Sequence, residues 1–372
     1  MARSWARLQL APRALFAAGF CLILVSLYLF SSTSSPNWSF RHRQDTQVSY
    51  NVSDEPVRAC FVVLVRNEEL NGIASTIRQV EERFNKKFNY PYIFLNDNPF
   101  TPEFINVTSA LTSAETRYGK LDEQMWGYPS FINQQYAAEK RAELAQMGIP
   151  YADSESYRHM CRFQSGFFFR HPLLDEFDYY WRLEPDVDYH CDIDYDVFKF
   201  MRDNGKKYGF NIAFREFHAT VPTLWNTVLE FRRTHPEVMK HFPETKGSLW
   251  RFVTDDKGAS YNLCHFWTNF EIAALDLWRS NDYLKYFNYL DRSGGFFYER
   301  WGDAPVHSIA AAMMLRKEEF HFFNDIGYRH TAYTHCPTEP EFRDKCSCDP
   351  AVNFDYDPGL SCYSIYKEAL SS

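Results

Sequence analysis

The stretch Tyr179-Tyr180-Trp181-Arg182-Leu183-Glu184-Pro185-Asp186-Val187-Asp188-Tyr189 decides how the chain folds. It opens as an apolar, aromatic run of the kind buried in a sheet. Pro185 has no N–H to give a ladder, so the strand should stop there. Glu184, Asp186 and Asp188 then fall at a strand's carboxyl end, where α/β sheets place ligands. Oxygen ligands of this kind suit a hard divalent cation bridging nucleotide phosphates. A solvated acidic turn is the plainer alternative, and context has to separate the two.

Upstream, the same pattern appears twice. Ala59-Cys60-Phe61-Val62-Val63-Leu64-Val65 reads as a buried strand ending in Arg66-Asn67-Glu68-Glu69. Helical periodicity follows over 70–84, carried by Leu70, Ile73, Ile77, Val80 and Phe84. The run from Pro91 to Asp97 is a second strand ending in an acid. Strand–helix–strand predicts a parallel sheet with a right-handed crossover. Downstream, a helix is predicted over 132–146, a helical or irregular piece over 156–169, a strand over 208–214 and an amphipathic helix over 224–234. Gly294-Gly295 breaks the chain before a segment leading into a helix of small apolar residues by 316. The tail from Thr338, rich in Cys, Pro and Asp, should wrap the body under disulfide restraint.

A chain of 372 residues, 45% hydrophobic and 24% charged, can bury a sizeable core. Its 34 Phe, 24 Tyr and 9 Trp suit both core filling and sugar-binding clefts. A net charge of −8 without a long basic run argues against nucleic acid as a partner. At the N-terminus, Arg3, Arg7 and Arg13 precede an uninterrupted apolar segment, 14–30, at the lower limit for spanning a bilayer. Positive charge upstream predicts a cytosolic tail (1–13), a transmembrane signal-anchor (14–30), a polar luminal stem (31–56) and a luminal catalytic domain (57–372). A cleaved signal peptide is the alternative, and no convincing A-x-A site follows the segment.

Of 9 Cys, Cys21 lies inside that segment, leaving Cys60, Cys161, Cys191, Cys264, Cys336, Cys346, Cys348 and Cys362. In an oxidising lumen they predict disulfides. Cys346-x-Cys348 has no second half-site for zinc. Sequons at Asn37, Asn51 and Asn106 fit the same compartment. The chain has no G-x-G-x-x-G, Walker or G-x-S-x-G pattern, which removes dinucleotide, P-loop and serine-hydrolase chemistry. An anchored luminal α/β domain with acids at its strand ends fits sugar transfer best.

Long segments resemble the fungal Golgi α-1,2-mannosyltransferases of glycosyltransferase family 15, the glycolipid 2-α-mannosyltransferases. They are Val65 to Glu68, Ser156 to Phe163, Tyr180 to Pro185, Tyr261 to Ile272, Gly294 to Ser308, and Asp325 to Pro337, in the family's order. The resemblance implies a GT-A-like, Rossmann-like mixed sheet flanked by helices, GDP-mannose as donor, Mn²⁺, and retention in an α-1,2 linkage. It places the metal on Glu184 and His330, because the family carries E-P-x-V where similar enzymes carry D-x-D. Asp186 and Asp188 become bystanders. An imidazole nitrogen beside oxygen ligands suits Mn²⁺.

The resemblance also puts Glu271 at the position of the family's candidate nucleophile and Tyr157 near the reacting centre. A retaining transfer needs a carboxylate on the far face of the anomeric carbon, or a leaving phosphate that takes the acceptor's proton. Asp303 should hold sugar hydroxyls. Arg158 and Arg162 are expected at phosphate or acceptor, with buried structural pairs as the equal alternative. Glu216 is expected at the acceptor or near the metal. Arg66 and Asp97, at the first two strand ends, should flank guanine and ribose. The partners implied are GDP-mannose, a mannosylated O-linked or N-linked glycan, and the Golgi membrane. A silent lectin-like paralogue and a luminal glycosidase using Glu184 and Glu271 are the competing readings.

Overall fold

The strand β1 (Ala59–Leu64) sends Ala59, Phe61 and Val63 into one apolar core and Cys60 and Val62 into another, so both faces of its sheet are covered. This is the behaviour expected of a continuous β-branched run. The structure, a computed structural model, describes residues 55–255 and 258–372. From β1 the chain forms helix α1 (Leu70–Val80) and returns as β2 (Tyr92–Asn96), which lies parallel to β1. Strand β3 (Thr116–Lys120) extends the edge, and helices α2 (Gln134–Ala145) and α3 (Glu155–Gly166) follow.

The decisive stretch behaves as its residues demand. β4 (Tyr179–Leu183) is buried along its whole length and pairs parallel with β1 on the side away from β2. The ladder ends before Glu184-Pro185, and pairing resumes as β5 (Val187–Tyr189) in a different sheet. Between them Asp186 takes a left-handed φ of 58°, which a short polar side chain tolerates.

β6 (Tyr208–Phe210) and β7 (Ala213–Arg215) divide the single strand predicted over 208–214 between two sheets. Next come α4 (Leu224–Thr234), β8 (Cys264–Phe266), β9 (Glu271–Ala274), α5 (Asn281–Ser293), α6 (Asp303–Met314) and β10 (Phe320–Phe322). The hairpin β11 (Tyr328–His330) and β12 (Tyr333–His335) closes the series. The main sheet has seven strands in the order β10-β6-β9-β4-β1-β2-β3. β9 runs antiparallel to both neighbours, and the other pairings are parallel. The fold is thus mixed α/β around a mostly parallel sheet.

A smaller sheet, β12-β11-β5, stands at the carboxyl end of β4. Its register pairs His330 with Val187 and Tyr328 with Tyr189. Helix α1 grips the same segment: Thr76 donates to the Glu184 carbonyl at 3.0 Å, and Gln79 accepts from the Tyr189 N–H at 2.9 Å. Gly72 gives the Asp186 carboxyl room, since a β-carbon there would stand 2.7 Å from it and force it to shift.

Three disulfides tie down the tail: Cys191–Cys346, Cys264–Cys362 and Cys336–Cys348. Cys60 and Cys161 are buried thiols, so the even set expected to pair resolves into three bonds and two free cysteines. Among the described residues no helix is long and apolar enough to cross a membrane. The expected tail, anchor and stem, with Asn37 and Asn51, lie outside the described residues but for 55–56, and Asn106 is exposed on the helix Pro102–Ala110.

The Cys191–Cys346 bond sits against the start of β11, where the Gly327 N–H points to the Cys191 sulfur at 3.2 Å. Replacing both cysteines by alanine should destabilise the protein by about 2–5 kcal/mol. An unchanged thermal midpoint in calorimetry would contradict this.

Candidate active site

Arg182 is a full charge in the middle of a buried strand, and the low dielectric there requires that it be paired. Its Nε donates to Glu184 Oε1 at 2.5 Å and its Nη1 to Asp303 Oδ2 at 2.6 Å. Burial opposes its charge, but Glu184 and Asp303 together hold its pKa well above the usual arginine value. Asp303 lies in the first turn of α6, where helix N–H groups favour an anion. It also accepts from the Thr268 hydroxyl at 2.7 Å. Burial pushes its pKa up, yet Arg182, His307 and these hydrogen bonds outweigh burial and leave it below the ordinary value.

Register carries the cluster further. Glu271, the first residue of β9, lies opposite Arg182. Its carboxylate is 1% exposed and accepts from Tyr180, from Tyr208 at 2.8 Å and from His307 Nδ1 at 3.0 Å. Tyr180 is held in turn by the Trp278 N–H at 3.0 Å. Both oxygens of Glu271 are therefore occupied, in a place water does not reach. The carboxylate expected to attack the anomeric carbon is thus held by three side chains in this arrangement.

His330, at the end of β11, is brought beside the β4–β5 turn by its pairing with Val187. Burial lowers its pKa, partly offset by Glu184, so the ring is neutral near pH 7. Trp267 stacks on it at 5.4 Å, and the Asn269 amide meets Nδ1 at 3.0 Å. The amide's Nδ2 faces Nδ1 and donates to it, which leaves the ring proton on Nε2; a metal on Nε2 requires the amide to turn over so that its oxygen accepts from Nδ1–H. A neutral imidazole beside the partly exposed Glu184 fits a Mn²⁺ donor set. Asp188 is taken up by Arg329 and by Gln79 Nε2 at 3.2 Å, and Asp186 lies against Gly72. Among the described residues no group of three or more His, Cys, Asp or Glu side chains is gathered for a metal.

A second arm leads away from Asp303. Tyr157, on α3, has its pKa raised by burial and lies within charge range of Asp303, Arg300 and Glu216. The Arg300 guanidinium sits 5.3 Å from the Tyr157 ring and donates to Glu216 Oε1 at 3.2 Å. Arg66 and Asp97 follow the ends of the adjacent strands β1 and β2, Arg66 exposed and Asp97 half-buried. Neither makes a hydrogen bond or ion pair to the Arg182 cluster; the Arg66 N–H donates to Glu69 and Asp97 accepts from Asn98.

For Arg162 and Arg158, expected either at a phosphate or acceptor or in buried structural pairs, the structure shows internal partners. Arg162 is committed to Asp291, with bonds of 2.7 and 2.9 Å, and pins α3 to α5 rather than facing a phosphate. Arg158 is buried and gives two bonds to the backbone oxygens of Glu299 and Ser154. Burial, with Arg141 and Arg300 nearby, lowers its pKa to about 10. A groove of about 760 Å³ between α4 and α5, lined by Asn226, Glu230, Asn288 and Tyr289, contains none of these residues.

With this geometry in view, the likenesses are specific. Residues 33–371 match the family described as glycolipid 2-α-mannosyltransferase. The chain is 53% identical to glycolipid 2-α-mannosyltransferase 2 of Candida albicans over 86% of its length and 68% of the relative's. It is 53% identical to α-1,2 mannosyltransferase KTR1 of Saccharomyces cerevisiae, covering 88% of this chain and 84% of that one. Among solved structures it is similar to core-mannan synthase A from Aspergillus fumigatus in its Mn/GDP form, with a TM-score of 0.79 and 40% identity over 91% and 92% of the two chains. The mannosyltransferase Ktr4p from S. cerevisiae in complex with GDP gives 0.79 and 35% over 98% and 94%. These relatives define a class, the GDP-mannose-dependent α-1,2-mannosyltransferases, which are glycosyltransferases. The chain belongs to the glycolipid 2-α-mannosyltransferase family.

Arg182→Ala would strand a buried carboxylate and should cost about 3–5 kcal/mol. The folded-state pKa of Asp303 is depressed, so its share of stability is full above the ordinary 3.8 and fades as pH falls through the folded value. Without Arg182, burial alone would raise the Asp303 pKa, so the cost of Arg182→Ala should be largest near neutral pH and shrink as acid protonates the carboxylate. A cost that does not change with pH in denaturant titrations would contradict the pairing.

Proposed function

We propose that the protein is a retaining, Mn²⁺-dependent α-1,2-mannosyltransferase that moves mannose from GDP-mannose to mannosylated O-linked or N-linked glycans in the Golgi lumen. In this reading 1–13 is a cytosolic tail, 14–30 a type II anchor, 31–56 a stem and 57–372 a GT-A-like catalytic domain. The observation that carries it is the convergence of Glu184 and His330 around the Arg182–Asp303 pair at the carboxyl end of β4.

Arg66 and Asp97, past the ends of β1 and β2, are suited to guanine and ribose. Glu184 and His330 would hold the Mn²⁺, whose charge would stabilise the departing diphosphate. Tyr157 can donate a hydrogen bond to a phosphate oxygen or orient the acceptor hydroxyl, because burial keeps its phenol protonated. Glu216, fixed by Arg300 and by the Phe217 N–H, offers an acceptor oxygen to a sugar hydroxyl. Asp303 acts through Arg182, whose second bond keeps the Glu184 carboxylate in place. The saturation of Glu271 favours the route in which the leaving phosphate takes the acceptor's proton over one with a covalent intermediate.

The purified protein should transfer mannose from GDP-mannose to methyl-α-mannoside only with added Mn²⁺, giving an α-1,2 product. Glu184→Gln and His330→Gln should each weaken Mn²⁺-dependent GDP binding about 10–100-fold in calorimetry. No transfer at any Mn²⁺ concentration would sink the reading. Release of free mannose without nucleotide would point to a glycosidase, and sugar binding without turnover to a silent paralogue.

A further inference from the structure

The disulfide-tied tail grips the strand opposite His330 through two neighbouring side chains. Phe354 packs on Tyr333, with 4.6 Å between ring centroids, and Tyr333 is the register partner of His330 across the β11–β12 hairpin. Trp267 closes the same patch, touching both Tyr333 and His330. Further along the same face of β12, His335 meets Asp355, the neighbour of Phe354. The His335 ring is fully buried, with Nδ1 2.8 Å from Asp355 Oδ2 and Nε2 3.0 Å from the Asn324 carbonyl oxygen. Asp355 is fixed in turn. Its N–H donates to Asn353 Oδ1 at 3.1 Å, and its carbonyl accepts from the Ser361 hydroxyl at 2.8 Å.

Both oxygens that face the ring are acceptors. A carbonyl has no proton to give, and a neutral imidazole has a single N–H for two partners. The pair therefore binds one proton more than a neutral ring beside a carboxylate. Losing that proton would set an imidazole lone pair against an anion in a buried place. Burial opposes the ring's charge, but Asp355, the Asn324 carbonyl and the nearby Glu339 outweigh it and hold the His335 pKa above the ordinary value. Of the other titratable groups around the pair, Tyr328 across the hairpin and Tyr363 on the helix Tyr363–Ser371 are kept protonated by burial. Arg329 is turned away to Asp188. With a raised folded pKa, the stabilisation is full below the unfolded value and is lost as pH rises through the folded one.

We propose that Asp355 is a positioning residue for the metal end of the cleft: by holding His335 from the tail, with Phe354 seated on Tyr333, it sets the strand that aligns His330. The proposal rests on the mannosyltransferase reading, in which His330 holds Mn²⁺. Asp355 makes no hydrogen bond or ion pair to Glu184 or His330, so it acts through the hairpin, most firmly on the acid side of the His335 titration.

The test compares the full chain with Asp355→Asn and His335→Gln from about pH 6 to about pH 8.5, a span around the ordinary histidine value. Thermal midpoints and calorimetric GDP binding with Mn²⁺ are measured at each pH. At about pH 6 each variant should melt about 2–4 °C below the wild type and bind GDP about 10-fold more weakly. Both gaps should close toward about pH 8.5, because the wild type then loses the proton that the variants do not bind. Protonation of His330 acts on all three proteins alike and cancels in the comparison. His335→Gln gives the same reading should Asp355→Asn not fold. Gaps that stay constant with pH, as a merely structural contact would give, or GDP binding equal to the wild type at about pH 6, would overturn the proposal. A wild type that shows the pH-dependent stability gap but no Mn²⁺-dependent GDP binding would instead overturn the mannosyltransferase reading, and the positioning role with it.

Discussion

The paired guanidinium of Arg182 is the constraint on which the rest of the site depends. A charge in a buried strand is tolerated only with partners on the same face, and β4 supplies that face by alternation. Tyr180 and Arg182 look toward the layer that contains α6, while Trp181 and Leu183 fill the opposite core. Asp303 must therefore come from the start of α6 and Glu184 from the residue just past the strand. Once those two are fixed, Thr268 joins the set through Asp303, while Glu271, opposite Arg182 in register, gathers His307 into a second set beside it.

Topology explains why residues so far apart in sequence meet. β9 enters antiparallel between β4 and β6, which starts Glu271 beside Arg182. β5 leaves the main sheet at Pro185 and recruits β11, which delivers His330. The tail disulfides then hold β11 from behind, next to Gly327, whose β-carbon would stand 2.7 Å from the Cys191 sulfur. In our reading, then, the Cys- and Pro-rich tail supports the metal end of the cleft.

Much of this was legible in the sequence. The runs at 59–65 and 178–183 declared buried strands because β-branched and aromatic residues continue through both faces, and Pro185 announced the stop. The helix over 224–234 followed from its period. β3 escaped because Thr116-Arg117-Tyr118-Gly119-Lys120 is an edge strand with little apolar signal. The 208–214 run divides because two sheets claim it, a tertiary effect no local pattern contains. Family resemblance brought Glu184, His330, Tyr157 and Asp303 to one neighbourhood, but the organising role of Arg182 went unread. The signal was present: an arginine inside Tyr-Tyr-Trp-Arg-Leu must be neutralised from elsewhere. The partners of Arg162 and Glu271 could not be read, because α5 and the Tyr180–Tyr208–His307 cage assemble only in three dimensions.

The central claim is that the metal belongs to Glu184 and His330, not to the literal Asp186-x-Asp188. Crystals grown with GDP and Mn²⁺ and measured at a wavelength where manganese scatters anomalously would test it directly. The account predicts one strong anomalous peak within bonding distance of the Glu184 carboxylate and His330 Nε2, with Asp188 still paired to Arg329. A peak held by Asp186 and Asp188, with His330 remote from it, would contradict the account.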